Sequence, residues 1–137
     1  MNRIKYDSEL IKLITLFESM TGARVKDCVA DDKLTFIVEE NEMGKAIGKG
    51  GANIKKLENA LKKRIKVIEF SGDVIQFVRN MAYPSEVAEI KNDDGIVTIN
   101  GKDTNTRAMI IGRNRQNLNQ INDITKRYFD VKEIKVI

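Results

Sequence analysis

The feature that most limits what this chain can become is that it contains one pattern twice. Ile47-Gly48-Lys49 returns as Ile111-Gly112-Arg113, about 64 residues later, and Asn53-Ile54 returns as Asn117-Leu118. Leu57 is matched by Ile121, and Lys62-Lys63 by Lys126-Arg127. A chain of 137 residues that repeats a unit of this size holds two small domains rather than one large core. Ser71-Gly72 is the joint, so domains are expected over 1–71 and 72–137.

Each half reads as the same series of elements. In the first half, Leu10, Leu13, Ile14, Phe17 and Met20 recur at helical spacing, with Asp7 or Ser8 to cap the start and Gly22 to end it. Val25 to Ala30 and Leu34 to Val38 flank Asp31-Asp32-Lys33 as a hairpin. Asn41 is the expected cap of a short helix ending near Ala46. A glycine loop follows, then a helix from Asn53 to Leu61, then a strand from Lys63 to Phe70. In the second half the helix 73–82 stops at Tyr83-Pro84, because the residue before proline avoids the helical region. Strands are expected over 87–91 and 96–99, with Asn92-Asp93-Asp94-Gly95 as their turn. Helices over 104–111 and 117–127 and a strand over 131–137 complete the copy. The expected class is α/β of the α+β type, each domain a three-stranded sheet covered by three helices.

The repeated centre is a loop between two helices. Gly48, Gly50 and Gly51 carry no Cβ, so a sugar-phosphate backbone can come close. The N–H groups that open the following helix attract anions. Lys49 adds a mobile charge. The basic residues gather around the two loops. Residues 43–66 hold eight basic side chains and one acid, Glu58, and residues 107–127 hold five and one, Asp123. A one-sided basic face of this kind suits a polyanion. The loops therefore read as phosphate clamps for single-stranded nucleic acid.

Other chemistries lack their residues. The chain has no histidine and one cysteine, Cys28, so it has neither a disulfide nor the usual zinc ligands. The usual general base near neutral pH is missing as well. Gly48-x-Gly50 follows a helix rather than a strand, which does not suit a dinucleotide fingerprint. Asp31-Asp32 and Asp93-Asp94 fall in expected turns, where Asp serves local hydrogen bonding. No enzyme activity and no cofactor are expected. No apolar run nears the roughly 20 residues of a membrane span. The first seven residues hold no apolar signal core, so a cytoplasmic protein without membrane contact is expected.

The element order, with Ile-Gly-x-x-Gly between two helices, resembles a KH domain of the type-II arrangement. The tandem resembles the paired KH units of the NusA family, transcription termination and antitermination factors. Three stretches carry the likeness: 44–54, with Ile47-Gly48-Lys49-Gly50-Gly51; 77–87, with Asn80, Pro84 and Val87 at the joint; and 108–118, with Ile111-Gly112-Arg113-Asn114-Arg115. Bacterial members carry a polymerase-binding domain and an OB-type barrel, for which the chain leaves no room, so the short archaeal form fits better. The resemblance implies that Gly48, Lys49, Gly50 and Gly51 hold phosphates of single-stranded RNA, flanked by Lys45 and Lys55. Ile47 and Ile54 would lie beneath the bases, and Ile37 or a neighbour on the second strand would offer backbone groups to base edges. Gly112, Arg113, Asn114 and Arg115 take the same part in the second copy, above Ile111 and Leu118. Ile47, Ile54, Ile111 and Leu118 equally fit ordinary core positions. Arg115 stands where the motif has glycine, which is expected to limit a positive φ and close approach, while its guanidinium can grip phosphate.

The implied function is RNA binding that modulates transcription termination, by a monomer, with RNA polymerase or other transcription factors as further partners. The alternative from another class is a basic interaction module that docks on polymerase or the ribosome, or a ribosome-assembly KH protein.

Overall fold

Residues 8–137 are described by a computed structural model. Helix α1, Ser8–Thr21, turns Leu10, Leu13, Ile14, Phe17 and Met20 onto one apolar cluster. Gly22 ends it with φ 76°, its N–H bonded to the Glu18 carbonyl at 2.8 Å. Of the two expected caps, Asp7 lies outside the described residues. Strands β1, Val25–Ala30, and β2, Leu34–Val38, pair antiparallel, and β3, Ile65–Glu69, lies parallel to β2. A parallel neighbour needs a long crossover. Helix α2, Met43–Ile47, the glycine loop, and helix α3, Ala52–Leu61, supply it. The order β1-β2-β3 puts β2 in the centre, and all five of its residues are buried. Phe17 and Phe36 stack at 4.2 Å in a core that includes Leu34, Val38, Ala46 and Leu57.

The second unit repeats the plan. Helix α4 is Val74–Ala82, and Asp73 caps it by accepting from the Ile75 N–H at 3.0 Å. Strands β4, Val87–Asp93, and β5, Ile96–Gly101, form the hairpin. Helices α5, Thr104–Ile111, and α6, Gln116–Tyr128, lead to β6, Glu133–Val136, which lies parallel to β5. The order β4-β5-β6 again centres the middle strand. By internal contacts the chain divides into a unit that ends at Ser71 and one that runs Gly72–Ile137. The architecture is thus two three-stranded sheets, each with three helices.

Both copies share details that their residues do not advertise. Each hairpin carries a register shift at its entry, between Val25 and Asp27 and between Val87 and Glu89. In each, the seventh residue of the helix after the loop holds the start of the last strand. Glu58 Oε2 accepts from the Ile65 N–H at 3.0 Å, and Asn122 Oδ1 from the Ile134 N–H at 3.1 Å.

Some boundaries differ from the sequence reading. Asn41 is not a cap: it takes φ 68°, and Glu42 precedes the helix without capping it by side chain. Asn tolerates the left-handed region, and its N–H goes to Glu69 Oε2 at 3.1 Å. The expected turn at 92–95 tightens to Asp94-Gly95, with φ of 53° and 87°, so β4 runs on to Asp93. Lys62-Lys63 and Lys126-Arg127 are not structural equivalents. Lys62 ends α3 with φ 57°, whereas Lys126 and Arg127 lie inside the longer α6.

Candidate nucleic-acid interface

The two loops follow one backbone path. Gly48 has φ/ψ of 76°/168°, Gly50 63°/21° and Gly51 76°/17°. Gly112 has 79°/169°, Asn114 56°/29° and Arg115 61°/20°. A single 3-10 turn, Lys49–Gly51 or Arg113–Arg115, joins the helices in each case. The N–H of Gly51 bonds to the Gly48 carbonyl and that of Arg115 to the Gly112 carbonyl, both at 3.1 Å. The N–H groups of Lys49 and Gly50, and of Arg113 and Asn114, take part in neither bond. Arg115 therefore adopts a positive φ although its side chain was expected to limit one, in a region that disfavours residues other than glycine by about 1–2 kcal/mol.

One asparagine locks each loop. Asn53 Nδ2 donates to the Lys45 carbonyl at 2.8 Å, and Asn117 Nδ2 to the Met109 carbonyl at 3.0 Å. That side chain also explains the first glycine. A Cβ on Gly48 would lie 2.8 Å from Asn53 Cγ, and one on Gly112 would lie 2.7 Å from Asn117 Cγ. Nothing lies within 4 Å of the corresponding point on Gly50 or Gly51. The repeated Asn was visible in the sequence, but its role as a latch needs the fold, because it spans eight residues between two helices.

The basic side chains stand outside. Lys45, Lys49, Lys55, Arg113 and Arg115 are exposed. Lys45 lies 3.5 Å from Glu42. Among the described residues, Lys49, Lys55, Arg113 and Arg115 form no ion pair. The Glu42 carboxyl is held below the usual range, first by the hydrogen bond it accepts from the Arg24 N–H at 2.7 Å. Ile47, Ile54 and Ile111 are half-buried next to the loops, while Leu118 is 3% exposed and belongs to the core. A closed side chain offers bases no surface of its own, so the two copies are unequal here.

The strand beside this surface is also reassigned. Ile37 lies on β2, whose two edges are occupied by β1 and β3. Its backbone groups are used up within the sheet. The edge strands are β1 and β3, and it is β3 that packs against α2 and α3, the helices on either side of the loop. Lys66 sits on β3, and burial, with the charge of Lys33 added, pushes its ammonium down to about 8. The order of strands in a sheet is not written in the sequence order, and for that reason the edge was missed.

A family model described as KH domain matches residues 13–72. Proteins named "Probable transcription termination protein NusA" match nearly the whole chain. The one from Methanococcus vannielii is 40% identical, over 98% of this chain and 80% of its own length. That of Methanocaldococcus jannaschii is 33% identical over 100% and 77%, and that of Thermoplasma acidophilum 31% over 99% and 97%. The chain belongs to this NusA family. Among solved structures, the crystal structure of APE1850 has a TM-score of 0.74 at 29% identity, covering 96% of this chain and 99% of that one. In this NusA-like chain no described group of three or more His, Cys, Asp or Glu is placed to hold a metal. Asp31 serves its turn instead, accepting from the Lys33 N–H at 3.3 Å. No described helix is long and apolar enough to cross a membrane.

Proposed function

We propose that this NusA-like protein binds single-stranded RNA through its two loops and modulates transcription termination or antitermination. The observation that carries this reading is the open backbone of the first loop. Gly50 and Gly51 hold left-handed dihedrals with no internal neighbour to explain their lack of a side chain. They leave room for a ligand's phosphates beside Lys45, Lys49 and Lys55. KH loops as a class clamp about four backbone nucleotides, with bases laid along an apolar groove. Here Gly48 to Gly51 take that part, with Ile47 and Ile54 below. Gly112 to Arg115 do so in the second unit beside Ile111. The open edge of β3 takes the place first assigned to Ile37. The protein works as a cytoplasmic monomer without catalytic activity, with RNA polymerase as a further partner.

The test is fluorescence anisotropy on labelled single-stranded RNA of about ten nucleotides, with matched DNA and duplex RNA, across a salt series. Neutralising about four phosphates gives a log-log salt slope near −3 for a single strand. The double variant Lys49→Asp/Gly50→Asp is expected to weaken RNA binding at least tenfold while circular dichroism shows an intact fold. Unchanged affinity in a folded variant would remove the clamp assignment. If binding to purified RNA polymerase survives while all three nucleic acids bind weakly and equally, the basic face is a protein-docking surface.

A further inference from the structure

The two loops serve as controls for each other. Their backbones agree residue by residue, yet the left-handed positions hold Gly50 and Gly51 in one and Asn114 and Arg115 in the other. Those dihedrals therefore do not by themselves require glycine. Glycine in the first loop keeps a surface bare, whereas the second loop places side chains on the same surface, Asn114 in a conformation asparagine tolerates and Arg115 in one its residue type disfavours. Neither Asn114 nor Arg115 has a side-chain partner among the described residues, and both are exposed. Arg115 thus holds a disfavoured dihedral with its guanidinium exposed, where it can meet a ligand.

The flanks differ in the same sense. Lys45 in the first unit is replaced by Met109 in the second, which is 61% exposed. Lys55 and Lys56 are replaced by Asn119 and Gln120. The second loop thus has fewer cations along the start of its helix and an apolar side chain in the open, a surface that can meet the face of a base as well as phosphate. Arg115 completes it. A guanidinium presents a rigid fork of donors that matches O6 and N7 of guanine, and a single strand leaves those edges free.

We propose that the second loop reads a base, with Arg115 the specificity-determining residue for guanine, while the first loop grips only backbone. This rests on the RNA-binding reading. The readout is a ratio: affinity for a ten-nucleotide RNA with one guanine among uridines over affinity for ten uridines. The native protein should show at least a tenfold ratio, and Asn114→Gly/Arg115→Gly should bring it near one. Arg115→Lys, which keeps the charge and loses the fork, should also lose the ratio while keeping the salt slope. An unchanged ratio in these variants, a native ratio near one, or a preference for adenine in place of guanine would overturn the proposal and leave RNA binding standing. Failure of the native protein to bind either RNA would remove the RNA reading itself.

Discussion

At the scale of single residues, chemistry and burial pull against each other most clearly at Lys66. It stands on β3, and its ammonium is pushed from an ordinary 10.5 to about 8, by burial first and by Lys33 second. The folded chain holds this proton less tightly than the unfolded chain. Between about pH 8 and 10.5 the unfolded state thus binds more protons, and stability rises with pH across that window. Urea unfolding of the native protein and of Lys66→Met at pH 7, 8, 9 and 10 tests this. Relative to the variant, the native protein should gain stability as pH rises. A constant difference would mean that Lys66 keeps its ordinary affinity for the proton. Cys28 shows the same cause with the other sign, its thiol pushed up to about 12 by burial first and Asp27 second, and so it is a poor nucleophile.

At the scale of elements, the helix-loop-helix is the piece with sharply unequal positions. Gly48→Ala meets two obstacles, a positive φ and a Cβ 2.8 Å from Asn53 Cγ. It also threatens the latch from Asn53 to the Lys45 carbonyl. Gly48 has φ 76° and ψ 168°, a region nearly reserved for glycine, so an alanine there costs about 1–3 kcal/mol, and a displaced hydrogen bond adds about 1 kcal/mol. Gly50→Ala meets only the left-handed dihedral, at about 1–2 kcal/mol, because its surroundings are open. Denaturant unfolding should therefore show a loss of about 2–4 kcal/mol for Gly48→Ala and about 1–2 kcal/mol for Gly50→Ala. Equal losses would show that the Asn53 latch gives way freely.

At the scale of the whole molecule, one fold occurs twice in the chain, each copy with its own loop between two helices. Linking two sites makes the second binding event intramolecular and raises affinity by a factor of about 100 to 10,000 when both engage. RNA of ten nucleotides should then bind far more tightly than RNA of five, measured by anisotropy at fixed salt. Lys49→Asp/Gly50→Asp should erase most of that gain, because one loop alone remains. If the five-nucleotide RNA binds as well as the ten in the native protein, only one loop is used.

The sequence alone settled the element types and their order. Phe17 at helical spacing, the β-branched and apolar run of Leu34 to Val38, and the glycines at 48 and 112 each act through near neighbours in the chain, and near neighbours are what a sequence displays. It also marked the loops, since glycines beside lysines are local chemistry. The tertiary structure decided everything that depends on distant partners. Ile37 lost its assigned role because β2 is paired on both edges, and Leu118 joined the core although Ile111 stayed half-buried. Arg115 took a dihedral that its residue type disfavours, because the path between α5 and α6 is held at both ends by packing and by Asn117. Local preferences of about 1–2 kcal/mol choose a conformation only where the surrounding fold has no stronger demand.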